Sequence, residues 1–200
     1  MRPATIGITG GIGSGKSFVC RRLEAEGYKV FYTDAVAKDI IRHDEAVRTM
    51  LTAIVGNDLY DIEGKLVKSV MANFITQSKA HAAQIDAIVH ARVSERWQQW
   101  VETEKAAGSK MPLFMECALL IESGFNALVD KTVLVSAPLS VRIARVIQRD
   151  GISEEKVKEW IALQLPEEEK KKRADLCINN DEGMPNLQPL FQLIQSLESN

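Results

Sequence analysis

The chain has 200 residues, 25 Lys+Arg against 27 Asp+Glu for a formal net charge of -2, and 46% hydrophobic and 26% charged residues. That composition excludes a disordered chain, and the near-neutral balance gives no whole-chain reason to expect nucleic acid or an anionic membrane as a partner. The length suits one domain with a smaller insertion, no apolar run reaches the ~18 residues of a membrane helix, and Met1 to Gly10 has no long apolar run of the secretory-signal kind.

Ala4-Thr5-Ile6-Gly7-Ile8-Thr9 is a short β-branched run ending in glycines, which predicts a buried strand. Gly10 to Gly15 follow as a loop, and Lys16 to Ala25 as a helix stopped at Gly27. Lys29 to Thr33 predicts a second strand with Asp34 just past its end. From Asp34 to about Gly56 the pattern is helical, with a break at His43-Asp44. Asn57 to Gly64 is turn-like and Leu66 to Ile75 helical. Ser78 to Gly108 is a helical stretch long enough that a bend is expected near His90.

Strands return at Pro112 to Cys117, Thr132 to Ser136 and Leu176 to Asn179. Helices are expected over Leu139 to Arg149, after Ser153 as an N-cap, over Glu167 to Arg173, and from Asn186 to Leu197. Strands alternating with helices predict an α/β fold whose parallel sheet is covered on both faces. The strand-free stretch from about 36 to 109 predicts a helical insertion on that core. Cys20, Cys117 and Cys177 are odd in number, far apart and in no CxxC pair, which fits reduced thiols in a cytoplasmic protein.

One motif carries chemistry. Gly10-Gly11-Ile12-Gly13-Ser14-Gly15-Lys16-Ser17 matches G-x-x-x-x-G-K-[ST] between a predicted strand and a predicted helix, as a phosphate-binding loop requires. Its glycines let successive backbone N–H groups curl inward around phosphate oxygens, and the following helix adds its positive end. Lys16 supplies a cation for the β- and γ-phosphates and the Ser17 hydroxyl a ligand for Mg²⁺, so the chain is expected to bind a nucleoside triphosphate. No N-K-x-D guanine signature is present, and Asp61-Ile62-Glu63-Gly64 falls in a turn-rich stretch, which argues against a GTPase switch. Phosphoryl transfer to a hydroxyl also needs a proton acceptor, and groups at the carboxyl ends of parallel strands converge on such a site. Asp34 is placed for that role and equally for capping the helix that follows.

The ordered set of residues resembles the dephospho-CoA kinase family. It consists of the loop Gly10 to Ser17, Gly27, Val30 and Thr33-Asp34-Ala35, His90, Glu116 to Gly124, Gln148-Arg149-Asp150-Gly151, Gln164-Leu165-Pro166, and Ala174-Asp175 through Asn180. The resemblance implies transfer of the ATP γ-phosphoryl group to the ribose 3′-hydroxyl of dephospho-CoA, the last step of coenzyme A biosynthesis. It implies a P-loop kinase core with a five-stranded parallel sheet (about 1–35 and 110–200), a helical acceptor-binding insertion (about 36–109) and a mobile lid (about 145–173) within a single domain.

By family position, Gly11, Ile12, Gly13, Ser14, Gly15, Lys16, Ser17 and Phe18 hold ATP, Asn180 lies near the adenine, Asp34 is the base, and His90 lies near the acceptor. Three positions depart from the family pattern: Tyr32 replaces the first aspartate of D-x-D, and Ala91 and Ala118 stand where proline is common. The expected ligands are ATP, Mg²⁺ and dephospho-CoA, with no nucleic acid or membrane partner and a monomer or weak homo-oligomer. Other small-molecule kinases, of nucleotides or shikimate, and a nucleotide-dependent switch are the alternatives.

Glu116 at the end of the third strand is a candidate Mg²⁺ ligand through water, or a structural acceptor. Arg142, Arg145 and Arg149 share a helix face, which suits either phosphate contact or solvent, and the family position favours Arg145 and Arg149. Glu167-Glu168-Glu169-Lys170-Lys171-Lys172-Arg173 sets three i,i+4 pairs in favourable order and reads as a solvated helix, not a binding patch. Trp97 and Trp100 read as packing groups, Trp160 likewise, and His43 and His81 carry no functional reading.

Overall fold

The computed structural model describes residues 2–181 and 184–198. In chain order the first elements are β1 (Thr5–Thr9), α1 (Lys16–Ala25), β2 (Lys29–Tyr32), α2 (Thr33–His43), α3 (Glu45–Val55), α4 (Lys68–Gln77) and α5 (Lys79–Ala106). They are followed by β3 (Leu113–Glu116), β4 (Lys131–Ser136), α6 (Leu139–Asp150), α7 (Glu154–Ala162), α8 (Glu167–Arg173), β5 (Leu176–Asn179) and α9 (Gln188–Glu198). The chain divides into two compact units, one of residues up to Tyr32 together with those from Val101, the other Thr33–Trp100.

The first unit is built on a five-stranded sheet in the order β2-β3-β1-β4-β5, every pairing parallel. All five residues of β1 are buried, as a β-branched central strand covered on both faces must be. The main core joins Ile6, Ile8, Phe114, Val133 and Val135 of the sheet to Val19, Cys20 and Leu23 of α1 and Leu190 and Ile194 of α9. A separate small cluster of Ile143, Val146 and Val157 ties α6 to α7, with Ile12 and Ile161 packed against it. Burial pushes the Cys20 thiol up to about 12, so it is un-ionised at neutral pH.

β3 lies on one side of β1 and β4 on the other, so the strand order reverses beside β1. The carboxyl end of β1 is therefore the crevice where ligands of open α/β sheets bind.

The second unit holds α2, α3, α4 and most of α5, with a turn between α3 and α4 pinned by an isolated antiparallel bridge from Tyr60 to Leu66. Asp44 marks the break expected at His43-Asp44. Its carboxylate caps α3 by accepting from the Val47 N–H at 3.3 Å and pairs with Arg92 at 2.7 Å. Ile40, Val47, Leu51, Leu59, Val89, Val93 and Trp97 are buried, and Trp97 and Trp100 lie with ring centroids 5.4 Å apart. α5 is one helix of 28 residues. Among the described residues no helix is long and apolar enough to cross a membrane.

Two expectations change, one boundary and one reading of a helix. Thr33 is the first residue of α2 and not the last of β2, which sets Asp34 inside the first helical turn. α8 is not simply solvated: Lys170 is only 1% exposed, and of the three i,i+4 pairs none forms. Lys171 and Lys172 pair at i,i+3 with Glu168 and Glu169, while Glu167 and Lys170 turn inward to partners outside the helix. Partners a few residues away lose to buried partners distant in sequence, because a desolvated charge left unpaired costs several kcal/mol.

Candidate active site

The phosphate loop leaves β1 at Thr9 and closes into α1 at Lys16. Gly13 and Gly15 have φ of +78° and +97°, a region that L side chains rarely adopt. Space forbids a side chain as well: a Cβ would lie 2.4 Å from the Arg142 carbonyl oxygen at Gly13 and 2.0 Å from Asn180 Nδ2 at Gly15. The loop carries an internal turn, with the Ser14 N–H donating to Gly11 O at 3.1 Å. Gly15 stands at the N-cap of α1 without a side-chain cap, and no acidic residue occupies the first turn, so the helix presents its backbone donors and positive end to an anion.

Lys16 is buried to 9% exposure, and its Nζ donates to Gly10 O at 2.8 Å. This folds the ammonium over the loop it is expected to serve. Ser17 is exposed at the start of α1 and Phe18 half-buried beside it. Ser14 Oγ and Asn180 Oδ1 are buried and lack a hydrogen-bond partner among the described residues, so the loop has polar capacity that a phosphate shell can use.

Outside groups grip the loop. Arg142 is 5% exposed; its Nε donates to Ile12 O at 2.9 Å and its Nη1 to Glu167 at 2.7 Å. Gln164 Oε1 accepts from the Ile12 N–H at 2.9 Å. Arg145 donates to Asn180 O at 2.8 Å and to Gly13 O at 3.4 Å. Asn180 donates from Nδ2 to Ser14 O at 2.8 Å and from its backbone to Ser136 O at 2.8 Å. It supports the loop from beneath, a contact the adenine assignment did not contain.

The structure thus brings Gly11 to Phe18, Arg145 and Asn180 together and leaves Arg149 apart. Arg149 is exposed, its guanidinium paired at 2.7 Å with Asp150, and that contact raises its pKa further.

Glu116 ends β3, pairs in register with Ile8 of β1 and Tyr32 of β2, and is 9% exposed. Tyr32, standing for the family's first aspartate, donates its hydroxyl to Glu24 of α1 at 2.9 Å. Burial, then the Glu24 carboxylate, raises its pKa, so its hydroxyl is a neutral donor fixed on α1.

In the second unit Asp34 is exposed and lies in the first turn of α2, second residue of the helix. His90 is half-buried on α5. That unit also carries an open pocket of about 700 Å³ lined by Arg42, His43, Arg48, Lys65 and Lys68 against Glu45 and Glu63.

Sequence reasoning missed Gln164, Glu167, Lys170 and Glu122 as parts of this site's frame. Gln164 and Glu122 lie in stretches quoted for the resemblance. No local pattern marks Glu167 or Lys170, since the pairs they make lie 25 and 48 residues away.

A parallel sheet with a phosphate loop after its central strand, a lysine folded over that loop and a helix N-terminus behind it define a P-loop nucleotide-binding protein. A family model described as dephospho-CoA kinase matches residues 4–186. The chain is 40% identical over 192 residues to a dephospho-CoA kinase of Bacteroides fragilis, covering 96% of this chain and 92% of that one. To the dephospho-CoA kinase of Corynebacterium diphtheriae it is 35% identical, covering 88% and 87%. Among solved structures, a Thermus thermophilus protein superposes with a TM-score of 0.74 at 31% identity over 100% of this chain and 98% of that one. The dephospho-CoA kinase of Campylobacter jejuni shares the fold, with a TM-score of 0.66 at 22% identity over 98% and 97%. The chain belongs to the dephospho-CoA kinase family, ATP-dependent kinases of the final step of coenzyme A biosynthesis.

Proposed function

We propose that this chain transfers the γ-phosphoryl group of ATP to the ribose 3′-hydroxyl of dephospho-CoA, giving coenzyme A and ADP, with the loop Gly11 to Phe18 as the ATP site and Asp34 as the base. The observation that carries the ATP site is the loop itself: Gly13 and Gly15 at positive φ, and the buried Lys16 ammonium 2.8 Å from the Gly10 carbonyl. Backbone N–H groups and the α1 terminus bind the phosphates, and Lys16 and Arg145 offset the negative charge on the transferring group. Arg149, at the end of α6 just before the segment assigned below to the lid, joins them only if closure of that segment draws the end of α6 toward the nucleotide.

Asp34 follows the carboxyl end of β2 by two residues and is exposed, as a group that must take the proton of a bound hydroxyl has to be. The second unit is assigned the acceptor. Its pocket is lined by five basic side chains, which suits an acceptor that carries phosphate, and His90 belongs to the same unit.

Ser17 and Glu116 offer a hydroxyl and a carboxylate oxygen, the hard donors Mg²⁺ takes. Among the described residues no three His, Cys, Asp or Glu side chains cluster, so the remaining ligands would come from phosphate and water. Bound there, the ion would neutralise phosphate charge. The lid is assigned to Gly151–Leu163, a narrower span than 145–173, because α7 is held by the small cluster around Val157 whereas α8 is anchored through Glu167 and Lys170.

The test is ADP release with ATP and Mg²⁺, with and without dephospho-CoA, beside nucleoside monophosphates and shikimate, with products identified by mass. A phosphorylated product with dephospho-CoA alone is expected. Turnover only with another acceptor keeps the kinase and discards this substrate. Tight ATP binding with no acceptor phosphorylated would leave the switch reading.

A further inference from the structure

The crest of a glycine-rich loop has little to hold it. Gly11 and Gly13 flank Ile12, and neither contributes a side chain to packing. Yet both polar groups of Ile12 have side-chain partners from the far half of the chain: its N–H donates to Gln164 Oε1 at 2.9 Å and its carbonyl accepts from Arg142 Nε at 2.9 Å. Arg142 also fills the space against the loop, since a Cβ at Gly11 would lie 2.1 Å from its guanidinium.

These two partners are fixed in turn. Arg142 is locked by Glu167 at 2.7 Å, and Glu167 accepts from the Ser136 hydroxyl at the end of β4. The segment carrying Gln164 is tied down next to it, where the Leu165 N–H donates to Glu122 at 3.0 Å and the same carboxylate pairs with the buried Lys170 at 2.7 Å. A carboxylate with several donors and a guanidinium with two acceptors hold their geometry better than single contacts do.

We propose that the turn Gln164–Glu167, together with Arg142, is a latch that holds the Ile12 peptide and so sets the loop in the shape that binds phosphate. Gln164 and Glu167 are then positioning residues for ATP, acting through the backbone of Ile12 and touching neither substrate. Arg142 is consumed by the same latch and is not a phosphate ligand. Preorganisation is the physical reason the contact matters: a loop that must be ordered by each incoming nucleotide binds it more weakly. The inference rests on the loop being the ATP site, as proposed above.

The test compares Gln164→Leu, which removes the acceptor at similar volume, with Gln164→Glu, which keeps an acceptor oxygen in a cavity shared with Arg142 and Lys170. ATP Kd is measured by calorimetry, KM for both substrates by ADP release, and Tm by thermal unfolding. For Gln164→Leu we expect the ATP Kd and KM to rise about tenfold, the loss of one partly buried hydrogen bond. KM for dephospho-CoA and Tm should change little, and Gln164→Glu should recover most of the ATP affinity. An unchanged ATP Kd in Gln164→Leu would overturn the latch. A tighter one would overturn it too, since the contact would then compete with nucleotide. So would a parallel weakening of both substrates that tracks a fall in Tm. Because ATP Kd needs no acceptor, the latch is read even if dephospho-CoA proves not to be the substrate.

Discussion

Lys16 and Asp34 divide the proposed chemistry between a charge that stabilises and a base that accepts. Lys16 is buried and held by a carbonyl, so its removal takes a cation out of a site already partly shielded from water. Lys16→Ala is expected to lower kcat/KM by about a thousandfold in steady-state ADP release. Asp34→Asn keeps the volume and removes the proton acceptor; kcat should fall ~100-fold or more with ATP Kd unchanged. Unchanged turnover in Asp34→Asn would remove Asp34 from the base role.

The motif made Lys16 legible because every residue it needs lies within eight positions. Tyr32 shows the opposite. The sequence marks a departure from D-x-D, while the partner its hydroxyl takes, Glu24 on the neighbouring helix, depends on β2 lying beside α1.

At the scale of elements, α3 and α8 carry charges that do structural work. Asp44 is 8% exposed and accepts from both Val47 N–H and Arg92, and the hydrogen bond from Arg92 is the main reason its pKa is lowered. A carboxylate depressed in the folded state contributes stability that is present above its unfolded pKa and lost as pH falls through the folded one. Tm should therefore drop as pH is taken below about 4, and Asp44→Asn should flatten that acid limb while lowering Tm at pH 7. Thermal scans from pH 3 to 7 on both proteins check this.

Lys170 is the charge on α8 that has no water to return to. Lys170→Met strands Glu122 and is expected to cost about 3 kcal/mol in urea unfolding; adding Glu122→Gln, which still accepts from Leu165 N–H, should recover most of it. A charge run at i,i+4 spacing is a good reason to expect a solvated helix. It fails where one helix face meets the sheet, because spacing cannot tell which side of a short helix faces the core.

For the whole molecule, binding couples to stability by mass action. Free ATP at about 100 times Kd should add ~2.7 kcal/mol, a rise in Tm of roughly 5–10 °C for a chain of this size, and Lys16→Ala should abolish most of that shift. Differential scanning fluorimetry with and without ATP reads it directly.

The sequence by itself determined the α/β class, the order of strands and helices, the helical stretch after β2 and the phosphate loop, because each depends on local periodicity or on residues adjacent in the chain. The break at Asp44 and the cap at Ser153 were legible for the same reason. Only the tertiary structure decided which charges are buried, that Arg142 bonds the Ile12 carbonyl and Glu167 while Arg149 is exposed, and that Asn180 bonds the loop at Ser14. Those assignments join residues up to 166 positions apart, and they follow from which side chains the packed sheet and helices leave without water.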